Sequence, residues 1–433
     1  MNPSPLQEWI RGRLGLGEAP LTLEALRAWQ LDQLQRTVAW ARAQSPFYCQ
    51  RLAGLAPGAP ASLDDLARLP FTSAADIAEN SLRFLCLSQG QVSHVVSLPP
   101  AAAGAPPRRL YFTAAELAQT VDFFCCGLRD LVRPGEQALC LFPRGRPGDV
   151  ADLILTAVQR LGGVGRAPAP GQDLGQALAV LGPEPLAVVI GLPVQALLLA
   201  ELGGPELRPR AAMLSGDRVP PALATRLRRL WGCPVYSHYG LSEMGFGGGV
   251  ECAAAQGYHL READLLLEIV SPDDGRLLPP GQEGEIVFTT LGRRAMPLIR
   301  FRTGDLSRLV PSPCPCGTSL PLLARVQDRL AGRIALAPGA VLSLAALDDA
   351  LFAVQGLLDF RAWLEKNRLR LAVSARQPEQ GRVLAAAQEA VARVSAVQAA
   401  ARTRGLRVQV EPAPLRWTAA PSQSKRRLEV KPA

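Results

Sequence analysis

Apolar positions recur at three- and four-residue steps through LEALRAWQLDQLQRTVAWARAQ (residues 23 to 44), the period of a helix with one buried face. SLDDLARLP (62 to 70) opens on a serine cap and halts at proline. The first ninety or so residues are therefore predicted to be helical, serving packing rather than chemistry. From about residue 94 to residue 310 short apolar runs alternate with helical patterns: QALCLFP precedes VADLILTAVQRLGG, and LAVVIG precedes PVQALLLAELG. This alternation predicts an α/β sheet with parallel strands. The most hydrophobic window, LAVVIGLPVQALLLAELGG, is broken by Pro193, Gln195 and Glu201, so it reads as a buried strand and a helix ending near Gly203 rather than a membrane span. LLLEIVSPDDGRLLPPGQEGEIVFTTL then sets two strand-like runs around an Asp-Gly turn and a Pro-Pro-Gly loop, predicting a small antiparallel unit. Beyond Arg329 the order is RAWLEK, RLRLAVSA, one long Ala-rich helix from about 379 to 403, and LRVQVEPA. The expected architecture is α/β: a large N-terminal domain over 1–328, with mixed sheets, flanking helices and the antiparallel unit, and a small C-terminal α+β domain over 329–433.

At 433 residues the chain is long enough for two or three units. The net charge of +9 is dispersed, with no basic run of five or more, so a solvated surface is expected and a nucleic-acid partner is not. Only Lys366, Lys425 and Lys431 are lysines, which makes each lysine position informative. MNPSPLQEWIRGRLG carries no apolar signal core, and the nine cysteines lack a small secreted scaffold, so a reducing cytoplasm is the expected setting, with no membrane partner.

YGLSEMGFGGGVEC (239 to 252) sets out a ring, a hydroxyl and a carboxylate, then glycines, then a thiol. A reaction that joins a carboxylate to a nucleotide α-phosphate needs positive charge, a metal held by a carboxylate, and a platform for the base. Tyr239, Ser242 and Glu243 could serve as platform, phosphate donor and Mg²⁺ ligand. Cys252 and His259 in ECAAAQGYH, with Cys314 and Cys316 in CPCG, make three thiolates and one imidazole, a closed tetrahedral zinc set; the competing reading is four unrelated side chains.

YGLSEMG, GEIVFTTL and MPLIRFRTGDLSRL resemble, in order and spacing, the adenylate-forming superfamily, and most closely the phenylacetate-CoA ligase branch of the AMP-dependent CoA ligases. SPFYCQRLAG, SLDDLARLPFT, RRLYFTAAEL, VVIGLPVQAL and AMLSGDRVP extend the resemblance over the chain, weakening after about residue 330. The resemblance implies that an acid attacks ATP to give an acyl-adenylate and pyrophosphate, and that coenzyme A thiolate then displaces AMP. It implies that Tyr239 stacks on adenine beside Gly240, Ser242 meets the phosphate, Glu243 holds Mg²⁺ and Asp305 takes the ribose hydroxyls. Ser215, Gly216 and Asp217 would line the adenine pocket, with Arg329 closing the ribose side. Gly247, Gly248 and Gly249 would let the backbone approach the acid, with specificity around Phe123 and Phe124; the plain alternative for the glycines is a flexible loop. Related ligases show the same EC, GYH and CxCG pattern, which implies a structural zinc. A small aromatic acid and CoA are the expected partners, and a homodimer the expected assembly.

The pattern departs from the family at two places. Its phosphate loop reads like Thr-Ser-Gly-Thr-Thr-Gly-x-Pro-Lys, whereas this chain has PAAAGAPPR from Pro100 to Arg108, leaving Gly104 and Arg108 to grip the triphosphate. A protein of the same fold that no longer makes adenylate is therefore the alternative expectation. After Arg329 the hinge segment LAGRIALAPGAVLS is unusually apolar. PSQSKRRLEV resembles the tail that delivers the adenylation lysine, here Lys425, with Ser424 where glycine is usual; the competing reading is an ordinary basic tail.

Overall fold

Three strands buried on both faces, Gln137–Cys140, Leu186–Gly191 and Ala211–Leu214, run parallel, as their continuous apolar stretches require. The helix Pro193–Leu202 follows the second strand, starting on proline and stopping at Gly203, and buries Leu197, Leu198 and Leu199 at roughly 1.5–3 kcal/mol per side chain. The computed structural model describes residues 4–56, 58–100, 106–415, 417 and 426–431. Two compact units result: one of Met1–Pro134, Gly145–Gly165 and Tyr236–Val326, the other of Gly135–Arg144, Arg166–Val235 and Gln327–Ala433. Among the described residues no helix is long and apolar enough to cross a membrane.

In the first unit the long helix is Leu23–Gln44, capped by Thr22. Its two tryptophans hold backbone from far along the chain: Trp29 Nε1 donates to Ala263 O at 2.9 Å and Trp40 Nε1 to Arg294 O at 3.0 Å. The strands Leu265–Val270, Gly284–Thr290 and Phe301–Ser307 pair antiparallel in order, bearing out the antiparallel unit around the Asp-Gly turn. A second antiparallel group joins Val235–Tyr239 to Gly249–Glu251 and on to Tyr258–Leu260, with Leu323 opposite Tyr258. Tyr48, Phe84, Phe112, Phe288 and Ile299 fill the core between them.

The second unit adds the sheet Arg407–Pro412, Arg368–Ala375, Leu357–Glu365, Leu428–Lys431, in which the outer strands are parallel to their neighbours and the central pair is antiparallel. Its apolar cluster runs from Leu139 and Val189 through Trp231 to Leu371 and Val391. The single long helix expected over 379 to 403 is two, Gln380–Ala392 and Ser395–Arg404, separated at the extended Val394. The first buries Val383, Ala387 and Val391, the second Ala396, Val397 and Ala400. At about 100° per residue these two stripes fall on different faces of one straight helix, so only a break lets both reach the core.

Candidate active site

The strand Val235–Tyr239 alternates buried and half-buried positions, which turns Tyr239 inward. Its phenol donates to Asp305 Oδ2 at 3.1 Å, and both residues are buried. Asp305 lies on Phe301–Ser307, a strand held by arginines of its own motif. Arg300 pairs with buried Glu268 at 2.8 Å and donates to Ala67 O and Leu69 O at 2.7 and 2.8 Å. Arg302 pairs with Glu285 at 2.5 Å. Thr303 Oγ1 accepts from the Asp305 amide at 3.0 Å and donates to Ile286 O at 2.7 Å, so the aspartate's backbone is fixed before any ligand arrives.

After Tyr239 the chain makes the short turn Ser242–Met244, with Gly245 and Phe246 both at positive φ, 78° and 67°. A phenylalanine in that conformation is unfavourable and persists only where surroundings hold it. Here three buried side chains grip the turn's carbonyls. Arg293 Nη1 donates to Glu243 O at 2.8 Å, Thr120 Oγ1 to Gly245 O at 3.1 Å, and Arg261 to Met244 O. Burial depresses both guanidiniums, Arg261 to about 10. The Glu243 side chain is itself paired: Arg108 Nη1 lies 2.6 Å from Oε1, with the two side chains 15% and 8% exposed. Arg108, the last residue of PAAAGAPPR, thus meets the motif glutamate.

The glycines form turn and strand. The Gly248 amide donates to Tyr239 O at 2.9 Å, and Gly249 begins Gly249–Glu251. Gly240 and Gly247 pass so close that a Cβ on the former would sit 2.7 Å from the latter's Cα, and one on Gly247 would sit 2.4 Å from the Phe123 ring. Phe123 and Phe124 come from the helix Ala114–Leu128, and their rings lie 6.0 and 6.2 Å from that of His238. Burial, and then Arg261, pushes the His238 imidazole down to about 4. Sequence reasoning missed His238; its signal was its place directly before the motif tyrosine.

Cys252, His259, Cys314 and Cys316 are buried, and their ligand atoms all lie within 4.8 Å of one another. Cys252 Sγ is 3.6 Å from Cys314 Sγ, and Cys316 Sγ is 3.5 Å from His259 Nε2. Zinc–sulfur bonds of about 2.3 Å in a tetrahedron give edges of about 3.8 Å, so the donor set fits a closed zinc site. His259 Nδ1 is 3.2 Å from Pro321 O, leaving Nε2 aimed at the thiols. Each of the first two donors adjoins a residue that braces the tyrosine strand. Glu251 accepts from Ser237 N at 2.8 Å and Arg325 Nε at 2.5 Å, while the Tyr258 ring lies 5.7 Å from that of Tyr239. Of the remaining cysteines, Cys86, Cys126, Cys140 and Cys233 are buried, Cys125 is half-buried and Cys49 is exposed.

Ser215, Gly216, Asp217 and Arg329 belong to the second unit. The Ser215 amide donates to Gly191 O at 2.9 Å, Gly216 follows it, and Asp217 Oδ1 accepts from the Arg218 amide at 2.9 Å. Arg329 ends the short strand Asp328–Arg329, its amide donating to Asp328 Oδ1 at 2.8 Å. Gly104 and Lys425 lie outside the described residues.

The profile of the AMP-binding enzyme family matches residues 158–292. A phenylacetate-coenzyme A ligase of Thermus thermophilus is 31% identical over 334 residues, covering 72% of each chain. One from Pseudomonas putida is 27% identical over 363 residues, 81% of this chain and 77% of the other. Among solved structures, a 2-hydroxyisobutyryl-CoA ligase in complex with an acyl-AMP superposes with a TM-score of 0.75 at 22% identity, covering 95% of this chain and 89% of that one. By these likenesses the chain belongs to the phenylacetate-CoA ligase-like branch of the adenylate-forming enzymes, and it is an AMP-forming CoA ligase.

Proposed function

We propose that this enzyme activates a small aromatic carboxylic acid. The acid's carboxylate oxygen attacks the α-phosphorus of ATP and pyrophosphate leaves; the CoA thiolate then attacks the acyl carbon and AMP leaves. The observation that carries the reading is the buried Tyr239–Asp305 contact in the unit that also pairs Glu243 with Arg108 and packs Phe123, Phe124 and His238 around Gly247. Relatives named for phenylacetate support an aromatic acid.

In this reading Asp305 accepts the ribose hydroxyls, the Tyr239 face carries the adenine with Gly240, and Ser242 donates to the phosphate. Glu243 would hold Mg²⁺, which would supply positive charge beside the phosphates. Arg108, which pairs with that carboxylate, would supply positive charge toward the triphosphate, the role the resemblance also gives to Gly104. By the resemblance alone, Ser215, Gly216, Asp217 and Arg329 would be nucleotide contacts and Lys425 would offset the negative charge of the adenylation step. The functional division is 1–328 and 329–433, in a homodimer of the cytoplasm. Cys252, His259, Cys314 and Cys316 hold a structural zinc, since four protein donors leave no seat for water.

Pyrophosphate release with ATP, Mg²⁺ and a panel of aromatic and aliphatic acids tests this. Release that depends on an aromatic acid is the expected result. ATP binding without release from any acid would instead favour an adenylation-deficient binding protein, consistent with the missing hydroxyls of PAAAGAPPR.

A further inference from the structure

The buried Arg293 guanidinium joins two segments distant in sequence. Its Nη1 donates to Glu243 O at 2.8 Å and its Nη2 to Tyr111 O at 3.2 Å. Its Cζ lies 4.3 Å from the Phe112 ring centroid, and that ring stacks on Phe246 with centroids 5.2 Å apart. Phe246 is the residue held at φ 67°. One side chain therefore holds a carbonyl of the motif turn and, through Phe112, the ring of the turn's strained residue. Tyr111 and Phe112 end the strand Arg108–Phe112, whose first residue pairs with the Glu243 carboxylate. Glu243 is thus tied to one strand at two points: its carboxylate to Arg108 directly, its carbonyl to Tyr111 through Arg293. The backbone around Arg293 is held in turn. The Arg294 and Ala295 amides donate to Glu116 Oε1 at 2.8 and 3.0 Å, and the Gly292 amide donates to Thr37 Oγ1 at 3.2 Å.

We propose that Arg293 is a positioning residue for the adenylation step: it fixes the turn Ser242–Met244 against the strand Arg108–Phe112 and so sets where the Glu243 carboxylate stands relative to the Arg108 guanidinium. The inference rests on the role given above to Glu243. Two of the Arg293 donors are committed to main-chain carbonyls and its face to a ring, so it acts through Glu243 rather than by touching phosphate. Reaching both carbonyls while lying on Phe112 suits a planar, forked cation; a lysine ammonium offers the charge without the fork. Thr120 and Arg261 still grip the carbonyls of Gly245 and Met244 when Arg293 is replaced, so its loss is expected to shift the turn rather than unfold it.

The test measures adenylate formation across a range of Mg²⁺ concentration and thioester formation from supplied acyl-adenylate and CoA. Titration calorimetry without acid adds the affinity for AMP, and for ATP with and without Mg²⁺. The proteins compared are the unaltered chain, Glu243→Gln, Arg293→Met, Arg293→Lys and the Glu243→Gln/Arg293→Met double variant. Misplacing a catalytic group by about 1 Å costs about 100-fold. Arg293→Met is therefore expected to slow adenylate formation by about that factor, to need more Mg²⁺ for half its maximal rate, and to lose the part of ATP affinity that Mg²⁺ confers, with AMP affinity and thioester formation spared. Arg293→Lys is expected to recover part of the loss. Added to Glu243→Gln, Arg293→Met costs adenylation nothing further, because it acts through that carboxylate. A joint fall in AMP affinity and both half-reactions, or further loss in the double variant, overturns the proposal and leaves Arg293 a stability residue. If Glu243→Gln slows adenylation while Arg293→Met does not, the clamp fails and the glutamate's role stands; if Glu243→Gln is silent, that role fails and the proposal falls with it. Should Arg293→Met not fold, Phe246→Gly, which removes the stacked ring at a backbone angle that glycine adopts freely, carries the same comparison.

Discussion

Tyr239 and Asp305, 66 residues apart in sequence, share a buried hydrogen bond of 3.1 Å that joins the strand before the motif turn to the strand Phe301–Ser307 of the antiparallel unit. Hydrogen bonds to a charged group contribute about 1.5–3 kcal/mol, so removing the carboxylate in Asp305→Ala is expected to weaken AMP binding by about 10- to 100-fold. Tyr239→Phe keeps the ring and is expected to cost less. Titration calorimetry with AMP distinguishes the two, and equal affinities across all three proteins would remove Asp305 from the nucleotide site.

Arg108 and Glu243 make separable predictions for stability and chemistry. Breaking a buried ion pair from one side strands the other charge, so Arg108→Leu is expected to destabilise the fold by about 3 kcal/mol. Arg108→Leu/Glu243→Met removes both charges and is expected to regain most of that stability while remaining unable to form adenylate. Chemical denaturation alongside pyrophosphate release checks both halves; full activity in the double variant would exclude Glu243 as the Mg²⁺ ligand.

For the four-donor cluster, metal analysis of purified protein is expected to find one zinc per chain, lost in Cys314→Ser. Because Glu251 and Tyr258 adjoin ligands and brace the strand of Tyr239, stripping the metal with a chelator is expected to lower both the melting temperature and AMP affinity. A metal-free protein of unchanged stability would return the cluster to four packed side chains.

His238 gives a pH dependence of defined sign. Its pKa falls from 6.5 to about 4 on folding, mainly through burial. Between those values the unfolded chain binds a proton that the folded chain does not, so stability falls as pH drops through the window and levels off below it. The effect is at most about 3 kcal/mol. His238→Gln is expected to flatten the melting temperature between pH 6.5 and pH 4; an unchanged slope would place the titration elsewhere.

Much of this fold was legible because its signals are local. Continuous apolar runs marked the parallel strands, and an Asp-Gly turn between strand-like runs marked the antiparallel unit. The zinc candidates were legible across 62 residues because thiols and an imidazole have few other reasons to sit beside CPCG. Partnerships set only by three-dimensional packing were not. Nothing in RRLYF says that Arg108 will meet Glu243, and nothing in SKRR says that Arg426 will be enclosed by Asp217, Asp348 and Asp359. The break at Val394 was hidden because alanine-rich sequence favours helix on either side, and the choice between one helix and two is made by which faces find a core.

The most direct test is acid-dependent exchange of labelled pyrophosphate into ATP, compared between the unaltered chain and Asp305→Ala. The account predicts exchange with an aromatic acid and Mg²⁺ that falls by about 100-fold or more in the variant, as expected where nucleotide positioning limits the step. Exchange that survives undiminished in Asp305→Ala, or none from the unaltered chain with any acid, would contradict it.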